Sequence, residues 1–133
     1  CIVSAINADA TCNVLEEAMQ HGISAAVVLA AGFGEGGKGI ERARRLQSLS
    51  ERGMAICGPN CYGVLNLIDG VAAYSGAIPS PAIAGKVALI SQSGGLGSNV
   101  LQPLMADRQL GFNYVISCGN QIGVLIEDRL HRR

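Results

Sequence analysis

Lys86-Val87-Ala88-Leu89-Ile90-Ser91-Gln92-Ser93-Gly94-Gly95-Leu96-Gly97 decides the fold. A run of strand length, Lys86 to Ile90, breaks into two hydroxyls and a set of glycines, and a helical pattern follows near 96–107. A strand that feeds straight into a helix through a Gly-rich turn is the repeating step of a parallel sheet. The same step is read twice upstream. Residues 1–6 predict a buried strand, and 9–21 a helix with Val14, Leu15, Ala18 and Met19 on one face and His21-Gly22 as its stop. Residues 25–30 predict a second strand, Gly32 to Gly37 a turn, 39–52 a charged helix closed by Gly53, and 54–57 a third strand. Downstream, 114–117 predicts a strand, Gly119-Asn120 a turn and 122–132 a last helix, while Pro103 is expected to bend or shorten the helix that contains it. The strands are continuously apolar, as when both faces of a sheet are covered. The expectation is an α/β protein with parallel sheets and helices on both faces. Residues 67–84, with Gly, Ser and Pro in irregular order, read as a linker between two units.

Composition narrows the function. With 49% hydrophobic and 15% charged residues, the 133-residue chain is apolar enough for a packed core, which argues against disorder. Ten basic and ten acidic side chains cancel, and no basic stripe suits nucleic acid. The densest cationic run, Arg42, Arg44 and Arg45, reads as a solvated helix face. Five cysteines without CxxC spacing predict free thiols in a reducing, cytoplasmic compartment and no metal site. No apolar run has membrane-spanning length, and no secretory signal pattern occurs. Cys1-Ile2-Val3 opens inside an apolar run, and Glu127 to Arg133 reads as a helix without a Gly cap, so the expectation is a piece of a longer protein.

Ligands of open parallel sheets bind beyond the carboxyl ends of the strands. Four loops fall there. Ser91-Gln92-Ser93-Gly94-Gly95 opens a helix, where free N–H groups and the dipole attract an anion. It is neither GxxxxGK[ST] nor GxGxxG, and a Ser-capped helix start fits the spacing equally well. Gly58-Pro59-Asn60-Cys61-Tyr62-Gly63 predicts a rigid turn that presents Asn60 and Cys61, the thiol being inert for want of a partner motif. Gly32 to Gly37 reads as a flap or a plain turn, and Asn120 as a cap for the last helix. His21 and His131 have no Ser or carboxylate partner at a telling spacing, and neither is assigned a catalytic role.

Taken together, Val14-Leu15-Glu16-Glu17-Ala18, Ala26 to Glu35, Gly58 to Asn66, Gly85 to Gly97, Gly111-Phe112 and Ser117-Cys118-Gly119-Asn120 resemble the acyl-CoA synthetase (NDP-forming) superfamily over nearly the whole chain. The pairing of GPNCxG with SQSGxLG carries the resemblance. It implies that residues 1–66 are the last part of a Rossmann-like CoA-binding domain and 85–133 the first half of a flavodoxin-like ligase domain. By the same resemblance, Ser91, Ser93, Gly94 and Gly95 contact phosphate, and Asn60 and Cys61 lie near the CoA thiol and acyl group. The family reaction is reversible: acyl-CoA, nucleoside diphosphate and phosphate give acid, CoA and nucleoside triphosphate through an acyl phosphate and a phosphohistidine. The Ser-His-Thr-Gly or Gly-His-Ala-Gly context of that histidine does not occur here, and the ATP-grasp domain that would bring nucleotide and Mg is missing. Asn7 stands where the family usually has Pro. The chain is therefore expected to be inactive alone, with CoA, acyl group, phosphate and an ATP-grasp domain or subunit as partners, and with exposed apolar edges that favour association. Two alternatives remain: a non-catalytic CoA-binding regulatory module, and the CoA-binding part of a protein acyltransferase.

Overall fold

The computed structural model describes residues 1–124. Strands β1 (Ile2–Ser4), β2 (Ala25–Val28) and β3 (Ala55–Cys57) form a parallel sheet in that order, with α1 (Ala8–Gln20) and α2 (Gly37–Glu51) as its crossovers. Right-handed crossovers in this order put both helices on one face. Cys12 and Leu15 of α1 and Leu46 and Leu49 of α2 pack there on Ala26, Val28 and Ile56. Phe33 belongs to the same core and is buried, so the turn after β2 is anchored by its aromatic ring. Asn7 caps α1, its side-chain oxygen accepting from the Ala10 amide at 2.9 Å.

The reading of Arg42 and Arg45 as a solvated face is corrected. The Arg42 guanidinium donates to both oxygens of Asp9 and to Gly32 O, and Arg45 donates to Glu16 and to Asn13. Their i,i+3 spacing puts both on the side of α2 that meets α1. The guanidinium beside each carboxyl holds Asp9 and Glu16 below the usual carboxylate range.

The second sheet has the order β5-β4-β7-β6, with β4 (Gly63–Asn66), β5 (Val71–Tyr74), β6 (Ala84–Ser91) and β7 (Phe112–Ser117). β6 and β7 are parallel, whereas β4 runs antiparallel to both β5 and β7, so this sheet is mixed. The stretch read as linker differs accordingly, since β5 lies within it. Asn66 is the reason. Its side-chain oxygen accepts from the amides of Ile68 and Asp69, its amide donates to Asp69, and this turn folds β5 back on β4. Helix α3 (Gly94–Ala106) covers one face, with Leu101 and Met105 on Leu65, Phe112 and Val115. It runs through Pro103 to Ala106.

The hairpin also meets the first sheet. Val64 and Ala73 pack on Val27, Cys57 and Cys61, on the side of that sheet turned away from α1 and α2. After β7 the chain returns along β3: the amides of Asn120, Ile122 and Val124 donate to Pro59 O, Gly58 O and Ile56 O. Residues 122–124 therefore bend along β3 under these hydrogen bonds and are not the start of a helix. The rest of the expected last helix, with His131, lies outside the described residues.

Candidate functional site

The carboxyl ends of β3, β6 and β7 converge on one cavity of about 800 Å³. Asn60, Cys61 and Tyr62 line one part of its wall, Ser91 to Leu96 another, and Gly119 and Asn120 complete it. All six site residues read from the sequence thus border the same space.

The helix start is built as follows. Ser93 is the N-cap of α3 and its hydroxyl oxygen accepts from the Leu96 amide at 3.3 Å, while the Ser91 hydroxyl donates to Ser93 O at 2.8 Å. The first intrahelical bond runs from the Gly97 amide to Ser93 O. Gly94 and Gly95 are then the first two helical residues, whose amides have no intrahelical acceptor by the geometry of any helix. Gly95 is informative: its φ is not positive, and an added Cβ would meet nothing within 4 Å. Neither backbone conformation nor packing among the described residues calls for glycine there, and glycine costs a helix roughly 1 kcal/mol against alanine. Its bare backbone borders the cavity.

In the opposing turn Asn60 adopts a left-handed φ of 56°, and its amide donates to Ala30 O. Cys61 is buried and its thiol donates to Val28 O at 3.3 Å. Hydrogen bonding with Cys57, and after it burial, pushes the Cys61 thiol far above the usual thiol range. A thiol held protonated is no nucleophile at neutral pH, in line with the inert reading of its sequence.

Asn120 does not cap a helix. Its side-chain amide donates to Phe33 O at 3.1 Å, and its side-chain oxygen accepts from the Asn60 side-chain amide at 3.4 Å. Two residues that the sequence reading did not single out complete the join. The Ser117 hydroxyl, buried, accepts from the Tyr62 amide at 3.0 Å, and the Tyr62 ring lies over Gly94. Ser117 sits at the tip of a parallel strand, the one position rule that could have marked it. No Lys, Arg, His, Asp or Glu is among the described residues that line the cavity. Its polarity comes from backbone amides, hydroxyls and carboxamides.

Residues 84–132 match the succinyl-CoA ligase like flavodoxin domain. The chain is 36% identical over 108 residues to the α subunit of acetate–CoA ligase [ADP-forming] II of Pyrococcus furiosus, a match covering 80% of this chain and 23% of that protein. It is 35% identical over 121 residues to acetate–CoA ligase [ADP-forming] of Methanocaldococcus jannaschii, covering 88% of this chain and 16% of that one. The chain belongs to the acyl-CoA synthetase (NDP-forming) superfamily. Among solved structures, the dinucleotide forming acetyl-coenzyme A synthetase 1 of Ca. Korarchaeum cryptofilum, in complex with phosphate and ADP, superposes with a TM-score of 0.85 at 30% identity, over 97% of this chain and 27% of that one. The chain spans about a quarter or less of the length of these relatives. No helix among the described residues is long and apolar enough to cross a membrane.

Proposed function

We propose that the chain is the part of an NDP-forming acyl-CoA synthetase that brings the CoA and acyl side together with the phosphoryl side. Residues 1–66 belong to the CoA-binding unit and 85–133 open the ligase unit; 67–84 join them and carry β5, which with β4 extends the second sheet. The reaction of the whole protein is acyl-CoA, nucleoside diphosphate and phosphate to acid, CoA and nucleoside triphosphate, and back. Phosphate attacks the thioester carbonyl, CoA leaves, and the acyl phosphate passes its phosphoryl group to a histidine and then to the nucleotide. The histidine and the ATP-grasp part, with its nucleotide and Mg, come from outside this chain.

The observation that carries this reading is the single cavity bordered by both turns. Ser93, Gly94 and Gly95 receive phosphate through neutral donors that stabilise charge without reorganising. The Ser91 hydroxyl, bonded to Ser93 O, holds the turn, and it contacts phosphate as a donor only by turning off that carbonyl. Asn60 and the backbone around Cys61 face the acyl group and the CoA sulfur. Four buried cysteines suit a reducing, cytoplasmic setting. The test is amide NMR of the chain titrated separately with inorganic phosphate and with CoA. Phosphate is expected to shift the Gly94 and Gly95 amides and CoA those of residues 60–62. Ser93→Ala is expected to weaken phosphate. Shifts scattered away from both turns, or an unchanged phosphate affinity in Ser93→Ala, would refute the assignment.

A further inference from the structure

Gly94 needs to be glycine because of Tyr62. Its φ is not positive, yet a Cβ added there would fall 2.5 Å from Cδ1 and 2.6 Å from Cγ of the Tyr62 ring. These are atoms at the root of the ring, which cannot swing aside as the end of a flexible chain can. The ring therefore rests on the bare backbone of the first residue of α3. Tyr62 is in turn held from three directions. Its amide donates to Ser117 Oγ at 3.0 Å, its carbonyl accepts from the Ser75 amide at 2.8 Å, and its ring meets that of Tyr74 edge-on with centroids 6.2 Å apart.

Two successive glycines open α3, and glycine loses more conformational freedom on ordering than any other residue. Gly95 has open space beside it, so packing on Gly94 is the side-chain contact that adds to the Ser91 and Ser93 hydrogen bonds in restraining this turn. We propose that Tyr62 is a positioning residue: its ring, fixed to β7 and to the residue that follows β5, sets the direction in which the Gly94 and Gly95 amides point into the cavity. It also ties that direction to the Asn60 turn, of which Tyr62 is the next residue but one. The inference rests on reading the helix start as the phosphoryl site.

The 133-residue chain is titrated with inorganic phosphate, the Gly94 and Gly95 amide shifts giving the affinity, and thermal unfolding is followed alongside. Tyr62→Phe keeps the ring and is expected to bind as the parent does. Tyr62→Ala is expected to bind roughly tenfold or more weakly, the loss of one hydrogen bond to a charged group. Gly94→Ala is expected to lose affinity similarly, and the double variant with Tyr62→Ala to recover part of it, because the methyl occupies space the ring has left. Should Tyr62→Ala fail to fold, Tyr62→Leu, which keeps bulk without a flat ring, is expected to show the same weakening. A folded Tyr62→Ala or Tyr62→Leu with parental affinity overturns this inference and leaves the phosphate site standing. Parental protein whose Gly94 and Gly95 amides ignore phosphate takes down the site and this inference together.

Discussion

Gly119→Ala is expected to cost more stability than a methyl added at either of the other glycines that line the cavity, Gly94 and Gly95. Gly119 has a φ of +57°, and a Cβ there would overlap Pro59 O and come within 2.6 Å of Asn60 O and 2.8 Å of Asn60 C. Left-handed backbone costs alanine about 1–2 kcal/mol. Forcing a methyl into packed atoms costs about 1–3 kcal/mol more. Backbone atoms of a turn cannot rotate out of the way, so relief must come from separating the β7 tip from the 58–61 turn. That separation breaks the bond from the Asn120 amide to Pro59 O at 2.8 Å and loosens the contact of Asn120 with Asn60. The sum is roughly 2–5 kcal/mol, and at about 3 °C per kcal/mol for a chain of this size the midpoint should fall by roughly 6–15 °C. Circular dichroism against temperature measures it, with Gly22→Ala as the control: φ there is also positive, at +79°, but an added Cβ meets nothing. The control isolates the backbone cost from the collision. Equal midpoints for the two variants would show that the β7 tip and the Asn60 turn are not in contact, and the single cavity would go with that contact.

Gly95→Ala is expected to keep or slightly raise the melting midpoint, by up to about 1 kcal/mol of helix propensity, while abolishing the phosphate-induced amide shifts; retained shifts would remove Gly95 from the site. Alkylation at neutral pH is expected to mark the exposed Cys1 and spare Cys12, Cys57, Cys61 and Cys118 until the chain unfolds, as read by mass spectrometry. Because the folded Cys61 pKa lies above its ordinary 9.0, its contribution to stability is present below about pH 9 and lost as pH rises beyond it. The melting midpoint should fall with pH in that alkaline range, and fall less in Cys61→Ala. Phosphate affinity is expected to change little between about 0.05 and 0.5 M potassium chloride, since no charged side chain among the described residues lines the cavity; a steep loss would point to a cation in the site.

The strands of the three parallel pairs were legible because each is or contains a short apolar run, a pattern that needs no knowledge of its neighbours. β5 was not. Val71-Ala72-Ala73-Tyr74 is only four residues long with two alanines at its centre, too short a signal to read alone, and it becomes a strand because Asn66 turns it onto β4. Asn120 misled for a related reason: an Asn before a helical pattern suggests a cap, but its acceptor is Phe33 O, 87 residues away, and no local spacing announces such a partner. Arg42 and Arg45 showed their common face through spacing, yet the acids they meet sit on another helix. Local patterns reveal what each loop offers, and pairing across the chain decides which loops meet.

On the proposed reading, the lack of fixed charge has a chemical consequence. A phosphoryl group that must arrive, react and move on is poorly served by a buried cation, whose attraction in a low-dielectric cleft grows until release becomes slow. Backbone amides at a helix start present partial charges that are already aligned, so they favour the dianion without reorganising and without trapping it. Such a site works only while the amides stay aimed, and in a turn opened by two glycines the Ser91 and Ser93 hydrogen bonds are the only restraints from within. On the proposed reading the rest of the aim comes from the side, from a ring seated on Gly94 and from a strand tip that holds the backbone of that ring through Ser117. This is why the two halves must meet here: the first supplies the turn that carries Tyr62, the second the amides and the Ser117 hydroxyl, and neither half alone fixes the direction in which the anion is bound.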